Sequence, residues 1–489
     1  MFFRQITDEK LSQYAYLIGC QATGEAIIID PERDIDRYVR VAEKNGLNIV
    51  AAADTHIHAD YLTGLREFAE RGIRVYASDE GDEDWKYEWL KGSDYPHTLL
   101  KDGDAFKIGN IRLEAVHTPG HTPEHISFLV TDLGGGADAP MGLVSGDFVF
   151  VGDLGRPDLL ESAAGVAGQM EPSARRLFGS VQRFLELDDY LQVWPAHGAG
   201  SACGKALGAV PETTVGYERR FNGAIQAAGR GEQAFVDAIL DGQPEPPMYF
   251  ARMKRENKEG PPVLGQLPNP RLLSLAELAS MADRTDVAFV DARLNREAFL
   301  SAHLPGSLFA PFNKTFNTVV GSFVEPEMPI YLLIEAEHIQ EAVRDLVRIG
   351  LDDIRGYATP DMLETYREGG GRTASIEQQH MNDIAELQRK GVTVLDVRNA
   401  SEWEASRVPG SANVAYPRLW VRRNEVPTGG TLAVHCMTGG RSSVSAALLQ
   451  RLGHDVIFLQ GNYVDWAARN ETVAGERSAA EGKKIASPA

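Results

Sequence analysis

The densest group of chemically reactive residues follows the apolar run IVAA at 49–52. His56, His58 and Asp60 alternate there, so in an extended segment their side chains project to the same side. Such groups at the end of a buried strand are costly unless they find partners. A single histidine is most often an ordinary core or surface residue, whereas three groups at this spacing indicate a metal site.

Three later segments supply further candidate ligands. They are His121 in HTPGHTPEH, Asp147 in VSGDFVF and His197 in WPAHG. Cys203 follows His197 by six residues in the small-residue loop GAGSACGK, which could extend to the rim of the same site. An ordinary loop position stays open for this cysteine, because a reactive thiol requires a local electropositive setting.

A second reactive group lies near the end of the chain, where Cys436 follows the apolar run TLAVH and precedes a helical pattern. Glycines let backbone N–H groups fold inward, and the helix N-terminus adds partial positive charge. Arg441 adds a full cation, and all three effects favour a thiolate and bind an anion such as thiosulfate, sulfite or a persulfide. The loop between strand and helix that would bind this anion consists of Met437, Thr438, Gly439 and Gly440.

The length and composition of the chain limit how many domains it can contain and which classes of partner it can have. The chain has 489 residues, which corresponds to roughly three domains of about 150 residues. A net charge of −20 argues against nucleic acid as a partner, and no apolar run approaches the length of about 18 residues that a membrane helix needs. Three scattered cysteines and a start without an apolar signal core predict a cytoplasmic protein.

Breaks and repeats in the sequence pattern predict three domains. Residues 1–241 alternate β-like and helical patterns, whereas 242–270 contains seven prolines and is predicted to be a linker. The remainder repeats itself, because AFVDARLNREAFLSAHLPGSLFAP parallels TVLDVRNASEWEASRVPGSANVAYP. The two copies are predicted at 271–370 and 374–472, and we name them copy B and copy B′. The pattern as a whole predicts a multidomain α/β protein.

Copy B has the same pattern of strands and helices as copy B′ but lacks its reactive residues. Where copy B′ has the cysteine loop, copy B reads Glu335-Ala336-Glu337-His338, with no cysteine, glycine pair or arginine. An acidic loop would repel anionic sulfur species. Copy B is therefore predicted to be catalytically inactive and to serve packing, spacing or docking.

The succession His-x-His-x-Asp, TPGHT, GD and PAHG resembles the metallo-β-lactamase superfamily over about residues 10–240. The resemblance implies an αββα sandwich with metal-binding loops at one edge. Hydrolases of the superfamily commonly hold a second metal through the first-motif Asp, here Asp60, the residue after it, and the PAH histidine, here His197. Tyr61 stands where that next ligand is a histidine, and a tyrosine binds poorly unless deprotonated.

The resemblance then leaves His56, His121 and Asp147 as metal ligands, which is the ligand set of mononuclear non-heme iron(II) oxygenases. In this interpretation His58 orients a ligand or bound water, and Asp60, Tyr61, His197 and Cys203 lie around the metal or the substrate. The segment GDLGRPDL at 152–159 is similar to the persulfide dioxygenase branch, so Arg156 and Asp158 are candidates for shaping the site or contacting substrate. A structural salt bridge stays open for Arg156.

The persulfide dioxygenase branch oxidises R–S–SH with O2 to sulfite and releases R–SH, with one iron(II) per chain. A low-molecular-weight persulfide such as glutathione persulfide is the implied substrate. The alternative is a glyoxalase II-like zinc thioester hydrolase, which activates water at zinc and would be fused here to a sulfur-carrier module. Tyr61 argues against that alternative.

The loop Cys-x-x-Gly-x-Arg, together with LDVR at 395–398, the Glu402–Trp403 pair and RVPGSANV, resembles the rhodanese family. The resemblance implies a small parallel sheet flanked by helices, with Cys436 and Arg441 as catalytic residues of a sulfurtransferase. Such an enzyme interconverts sulfite plus persulfide with thiosulfate plus thiol. The whole chain resembles bacterial fusions of a persulfide dioxygenase with an inactive and an active rhodanese domain. We expect a homo-oligomer that uses O2, small persulfides and thiols, sulfite and thiosulfate, without nucleic acid or membrane.

Overall fold

The computed structural model describes residues 1–162 and 168–475, and the chain divides into two units. The first unit comprises residues 1–268 and 340–352, and the second comprises 269–339 and the residues from 353 onward. The segment 340–352, which lies inside copy B in sequence, therefore belongs to the first unit.

The first unit contains two six-stranded sheets, each with its strands in chain order across the sheet. The first sheet consists of β1 (Phe2–Asp8), β2 (Gln13–Cys20), β3 (Glu25–Ile29), β4 (Asn48–Ala53), β5 (Arg74–Ser78) and β6 (His97–Leu100). The second consists of β7 (Ala105–Ile108), β8 (Ile111–His117), β9 (Ile126–Asp132), β10 (Gly142–Gly146), β11 (Gln192–Pro195) and β12 (Thr213–Thr214).

Alternation along the strands gives each sheet two apolar faces. Ile18 and Ile27 of the first sheet pack in one core with Leu113 and Phe128 of the second, so this core lies between the sheets. The outer face of the first sheet packs on α1 (Asp36–Lys44) and α2 (Leu65–Glu70). The outer face of the second sheet packs chiefly on α4 (Met170–Phe184) and α7 (Glu232–Leu240). The result is a four-layer αββα sandwich, as predicted.

Five helices of this unit follow β10 and β12. They are α3 (Leu159–Ser162), α4 (Met170–Phe184), α5 (Val215–Phe221), α6 (Gly223–Ala228) and α7 (Glu232–Leu240). Among the residues that the structure describes, no helix combines the length and the apolar character needed to cross a membrane.

The proline-rich stretch 242–270, predicted as a linker, contains the helix α8 (Phe250–Glu259). Its prolines at 247 and 261 flank the helix instead of interrupting it, so they do not break its hydrogen bonds. The helix buries Phe250, Met253 and Asn257, and it belongs to the first unit. Part of the predicted linker is thus a structural element of the first domain.

Copies B and B′ contain five-stranded parallel sheets of the same strand order. Copy B has β13 (Arg271–Leu272), β14 (Ala288–Asp291), β15 (Leu308–Phe309), β16 (Ile330–Leu333) and β17 (Ile354–Ala358), in the order β13-β17-β16-β14-β15. Copy B′ has β18 (Glu377–His380), β19 (Thr393–Asp396), β20 (Ala412–Asn413), β21 (Leu432–His435) and β22 (Val456–Gln460), in the order β18-β22-β21-β19-β20. The equivalent order confirms the internal repeat.

Helices flank both sheets. In copy B they are α9 (Leu275–Ser280), α10 (Arg296–Ser301), α11 (Phe316–Phe323) and α13 (Pro360–Glu368). The helix α12 (Ile339–Arg348) lies in the same stretch of sequence, but all of its residues except Ile339 belong to the first unit. In copy B′ they are α14 (Ile384–Arg389), α15 (Ala400–Ala405), α16 (Gly440–Arg451) and α17 (Tyr463–Ala467). Both copies also place a buried aspartate at the end of the strand beside the central one, paired with the arginine two residues later: Asp291 of β14 with Arg293, and Asp396 of β19 with Arg398.

Arg348, at the end of α12, lies in the first unit and neutralises a buried acidic cluster. Its guanidinium donates to Asp34 at 2.8 and 2.9 Å, also contacts Asp8, and lies 3.3 Å from Glu32. Burial opposes ionisation of Asp34, but Arg348 outweighs it and lowers the pKa of that carboxyl. Arg348 thus stabilises this cluster together with Arg344, which donates to Asp34, and Arg37, which donates to Glu32.

We expect Arg348→Met to reduce the free energy of unfolding by about 3–5 kcal/mol, because removing one partner leaves buried charges uncompensated. Urea unfolding followed by far-UV circular dichroism measures the change. The control is Arg40→Met, which removes an exposed pair with Asp36 and should cost about 1 kcal/mol or less. Equal, small losses for both variants would contradict the assigned role of Arg348.

Candidate metal centre and candidate sulfurtransferase loop

The candidate metal ligands of the first unit lie in the loops that follow four strands. His56 follows β4, His121 follows β8, Asp147 follows β10, and His197 follows β11. All four side chains are buried. Each of the four residues lies in one of the sequence motifs described above. The folding of the two sheets brings these separate motifs together.

His56, His121 and Asp147 form a set whose ligand atoms all lie within 4.8 Å of one another. Nε2 of His121 lies 3.4 Å from the Asp147 carboxylate, and Nε2 of His56 lies 4.0 Å from it. Within the described chain, His56 Nε2 and both Asp147 oxygens have no hydrogen-bond partner. Buried polar atoms without partners are costly, so this set fits a metal cation at its centre.

The outer nitrogens of both imidazoles are held by hydrogen bonds that fix their tautomers. The Thr55 hydroxyl donates to Asp30, so its oxygen accepts from Nδ1 of His56 at 3.0 Å. Nδ1 of His121 donates to the backbone carbonyl of Arg156 at 3.0 Å. Each ring thus turns an Nε2 lone pair toward the centre, as metal-binding histidines do.

Burial sets the protonation states in this set. It lowers the pKa of His121 to about 4 and that of His56 well below its ordinary value, so both rings are neutral near pH 7. Burial also raises the pKa of Asp147 to about 6. A metal ion binds the ionised carboxylate and competes with the proton there. The set therefore offers two neutral imidazoles and one carboxylate.

A second set of possible ligand atoms adjoins the first. Asp60, His197 and Cys203 lie within 4.8 Å of one another, and Nε2 of His197 is 3.3 Å from both Asp60 and Asp147. Burial, followed by Asp60 and Asp147, raises the pKa of Cys203 well above its ordinary value, so the thiol is protonated. The structure thus places Cys203 beside the centre that sequence suggested it could reach.

Tyr61 and His58 belong to a third set, next to Asp30 and Asp54. The Tyr61 hydroxyl lies 3.0 Å from Nε2 of His58, which is 3.2 Å from the Asp30 carboxylate. Burial, Asp30 and Asp54 raise the pKa of Tyr61 well above its ordinary value, so the phenol stays protonated. Burial alone would lower the pKa of His58, but Asp30 and Asp54 raise it to about 9. Neither side chain contributes to the set around Asp147.

The side chain of Arg156 is engaged in structural contacts. Its guanidinium forms a two-point ion pair with Asp158, at 2.8 and 2.6 Å, and donates to the carbonyls of Ala202 and Pro244. These contacts match the salt bridge that sequence left open for this residue. The backbone carbonyl of Arg156 accepts from Nδ1 of His121 and so helps to orient this ligand. The guanidinium of Arg156 donates to the carbonyl of Ala202 and so holds the loop that carries Cys203.

Several supporting residues were not predicted. Asp30 has a positive φ of 53° and accepts from the backbone N–H and hydroxyl of Thr55. Glu124 accepts from the backbone N–H of Ile57 at 2.7 Å. The acidic residue that ends the apolar run AIIID was a usable signal for Asp30. The glutamate in the TPEH motif was a similar signal for Glu124.

Asn257 of α8 holds the loop that contains His56 and His58. Its amide donates to the carbonyls of His58 and Tyr61 at 2.8 and 2.7 Å, and its oxygen accepts from the N–H of Thr63 at 3.0 Å. The side chain is fully buried. A residue from the predicted linker therefore fixes the backbone of the metal-binding loop.

We expect Asn257→Leu to weaken metal binding by about 10- to 100-fold, because it leaves three buried backbone groups unpaired and loosens the loop. Chelator competition, read by metal analysis of the protein, measures the affinity. Arg255→Leu changes an exposed residue of the same helix and should leave the affinity within twofold of wild type. Unchanged affinity in a folded Asn257→Leu variant would show that this contact does not position the ligands.

In copy B′, Cys436 lies between β21 and α16, in the position that the sequence predicts. Its sulfur accepts from the backbone N–H groups of Gly439 at 3.2 Å and Ser442 at 3.4 Å. Gly439 has a φ of 98°, which other residues rarely adopt and which turns the loop inward. N–H groups in this arrangement can also donate to an anion bound beside the sulfur.

Arg441 follows the loop and lines the cavity at Cys436, but its charge is already paired. Its guanidinium makes a two-point ion pair with Glu402 of α15, at 2.5 and 2.9 Å. Burial opposes ionisation of Glu402, but Arg441 outweighs it and lowers the pKa of that carboxyl. The ion pair holds the loop against α15. The Glu402 carboxylate also neutralises the positive charge of Arg441, which the sequence pattern assigned to anion binding.

Comparison with known proteins assigns both parts of the chain. Residues 9–197 match the family model of the metallo-beta-lactamase superfamily, and residues 381–469 match that of the rhodanese-like domain. The solved structure of a metallo-beta-lactamase from Staphylococcus aureus subsp. aureus COL is 41% identical. It covers 74% of this chain and 98% of its own, with a TM-score of 0.65.

Two curated relatives match part of the chain at lower identity. The mitochondrial persulfide dioxygenase ETHE1 of Bos taurus is 28% identical over 40% of this chain and 68% of its own length. A hydroxyacylglutathione hydrolase of Gloeobacter violaceus is 31% identical over 38% of this chain and 63% of its own length. The match covers between 53% and 82% of the length of the first five curated relatives. The chain belongs to the metallo-beta-lactamase superfamily, has persulfide dioxygenases among its relatives, and carries a C-terminal rhodanese-like domain.

Proposed function

We propose that the first unit is an iron(II)-dependent dioxygenase of low-molecular-weight persulfides. The overall reaction is R–S–SH + O2 + H2O → R–SH + SO3²⁻ + 2 H⁺, in which the outer sulfur is oxidised and the S–S bond breaks. The observation that carries the proposal is the set His56, His121 and Asp147, with a protonated Tyr61 where a second-metal histidine would stand. Two imidazoles and one carboxylate are typical of mononuclear iron(II) oxygenases.

Bound iron(II) would supply the redox partner that a spin-paired persulfide needs in order to react with triplet O2, which zinc cannot supply. His56, His121 and Asp147 would hold the metal ion. Asp60 and His197 lie 3.3 Å apart beside this set, and burial raises the pKa of Asp60 to about 6. This pair is suited to take up the persulfide proton near neutral pH.

We propose that copy B′ is the coupled sulfurtransferase. The Cys436 thiolate attacks the sulfane sulfur of thiosulfate, Cys–S⁻ + S–SO3²⁻ → Cys–S–S⁻ + SO3²⁻, and the sulfite leaves with the electron pair of the broken S–S bond. The N–H groups of Gly439 and Ser442 support this role because they donate to Sγ and hold it at the start of α16. In the reverse direction, sulfite from the dioxygenase takes sulfur from the Cys436 persulfide and yields thiosulfate.

A zinc thioester hydrolase is the second candidate. The set Asp60, His197 and Cys203 adjoins Asp147 and would be the second metal position of such a hydrolase. A hydroxyacylglutathione hydrolase is also among the relatives. Protein purified without oxygen or added metal separates the two candidates. One iron per chain without S-lactoylglutathione hydrolysis supports the dioxygenase. Two metals per chain with thioester turnover would overturn it.

A further inference from the structure

Arg441 leaves the cysteine loop without a free cation. Its guanidinium is ion-paired with Glu402, and the loop CMTGGRS contains no other basic residue. Thiosulfate carries two negative charges and sulfite about as many, so a positive group in addition to the backbone N–H donors strengthens a site for them. That group must come from outside the loop.

A cavity of about 360 Å³ opens next to Cys436, and both copies of the repeat line it. Copy B contributes Arg296, Phe309 and Asn313 to its wall. Copy B′ contributes Cys436, Thr438 and Arg441. Arg296 and Arg441 are the cationic side chains among the described residues that line it. Arg296 is therefore the candidate for the missing charge.

The guanidinium of Arg296 lies directly against the cysteine loop. Its Nη1 is 3.5 Å from the carbonyl oxygen of Thr438, and a Cβ added at Gly439 would collide with that nitrogen. The guanidinium carbon lies 5.3 Å from the centre of the Phe458 ring. Nε of Arg296 is buried without a hydrogen-bond partner in the described chain, and the carboxylate of Glu297 is 3.7 Å from it.

Direct contacts fix Arg296 relative to Cys436, because the two copies join within the second unit. Arg451 of α16 donates to the carbonyls of Gly306 and Val287 at 2.6 and 2.7 Å. His303 of copy B lies 2.8 Å from the side-chain oxygen of Gln450. The arginine of copy B is thus held over the loop by the packing of the two copies.

We propose that Arg296 binds the sulfonate oxygens of thiosulfate, or the oxygens of sulfite, at Cys436. The inference rests on the sulfurtransferase function proposed above. The anion accepts hydrogen bonds from the Arg296 guanidinium, its sulfane sulfur bonds to Sγ of Cys436, and sulfite leaves with the electron pair of its S–S bond. Copy B, which has no nucleophile, supplies a substrate-binding residue to its partner copy.

The first test uses sulfur transfer from thiosulfate by the full-length protein. We expect Arg296→Gln to raise KM for thiosulfate about tenfold or more, because a hydrogen bond to a charged group is lost, and to leave kcat within about twofold. Arg296→Lys should recover part of the KM. The control Arg355→Gln removes an exposed arginine of copy B that pairs with Asp353, and its KM should match that of wild type.

The second test does not depend on sulfur transfer. Iodoacetate and iodoacetamide are similar in size and alkylate Cys436, but only iodoacetate carries a negative charge. We expect Arg296→Gln to lower the ratio of their alkylation rates at Cys436 about tenfold, as measured by peptide mass spectrometry. The variant Arg355→Gln should retain the wild-type ratio.

The outcomes separate the two proposals. If wild-type protein transfers no sulfur from thiosulfate, the proposed function fails, and the alkylation ratio still tests the anion site. If wild type transfers sulfur, but Arg296→Gln keeps both the KM and the alkylation ratio within twofold, Arg296 does not bind the anion. A fall in kcat with unchanged KM and ratio would also overturn the inference.

Discussion

The variants His121→Ala and Asp147→Ala are expected to lose bound iron and O2 uptake with glutathione persulfide. Each removes one of three ligands whose donor atoms lie within 4.8 Å of one another. Sulfur transfer from thiosulfate to a thiol should continue at nearly the wild-type rate, because Cys436 belongs to the other unit of the chain. Iron analysis, an oxygen electrode and a thiosulfate transfer assay on the same preparation measure all three properties.

The matched control is His97→Ala, which removes a half-buried histidine of β6 whose Nδ1 bonds the carbonyl of Tyr95. It should retain iron and O2 uptake. The interpretation of the two units as separate activities would be wrong if a folded His121→Ala variant also lost sulfur transfer. Full iron content in Asp147→Ala would show that this carboxylate is not a ligand.

The variant Cys436→Ser is expected to consume O2 at nearly the wild-type rate but to change the product from thiosulfate to sulfite. Thiosulfate formation requires a sulfane sulfur on Cys436 and sulfite as its acceptor, and a serine hydroxyl forms no persulfide. The use of thiosulfate as a substrate should fall by at least about a thousandfold, as loss of a nucleophile does. Chromatography of sulfite and thiosulfate after aerobic incubation with persulfide measures the shift.

The control for this variant is Cys20→Ser, because Cys20 is a second thiol that hydrogen bonds activate. The backbone N–H of Asn110 lowers its pKa to about 7. Cys20→Ser should form the same products as wild type. If Cys436→Ser still makes thiosulfate enzymatically at the wild-type rate, with spontaneous formation subtracted, the role of Cys436 is wrong.

Much of the architecture follows from local patterns in the sequence. The repeat around Asp291 and Asp396 predicts two similar domains, and both sheets have the same strand order. The motifs of His56, His121 and Asp147 predict residues that lie together, because each motif follows a buried strand. Such patterns are readable because burial alternates with a fixed period along strands.

Long-range partners left no comparable signal. Asn257 lies in a proline-rich segment that gives no indication of a helix packed under the metal-binding loop. Arg441 satisfies the rhodanese motif, yet its charge is paired with Glu402, 39 residues earlier in the chain. Arg296 belongs to the copy without a nucleophile, and only tertiary packing brings it to the cysteine loop. A single sequence does not reveal which polar groups meet across such distances.

The central claim is that the first unit oxidises a persulfide with O2. The most direct measurement uses iron-loaded Cys436→Ser, in which sulfite is not drawn into thiosulfate, and compares O2 consumed with sulfite formed from glutathione persulfide. The proposed reaction predicts one sulfite per O2, with no turnover in the zinc-loaded protein. Persulfide loss without O2 uptake, or hydrolysis of a glutathione thioester by the same protein, would contradict it.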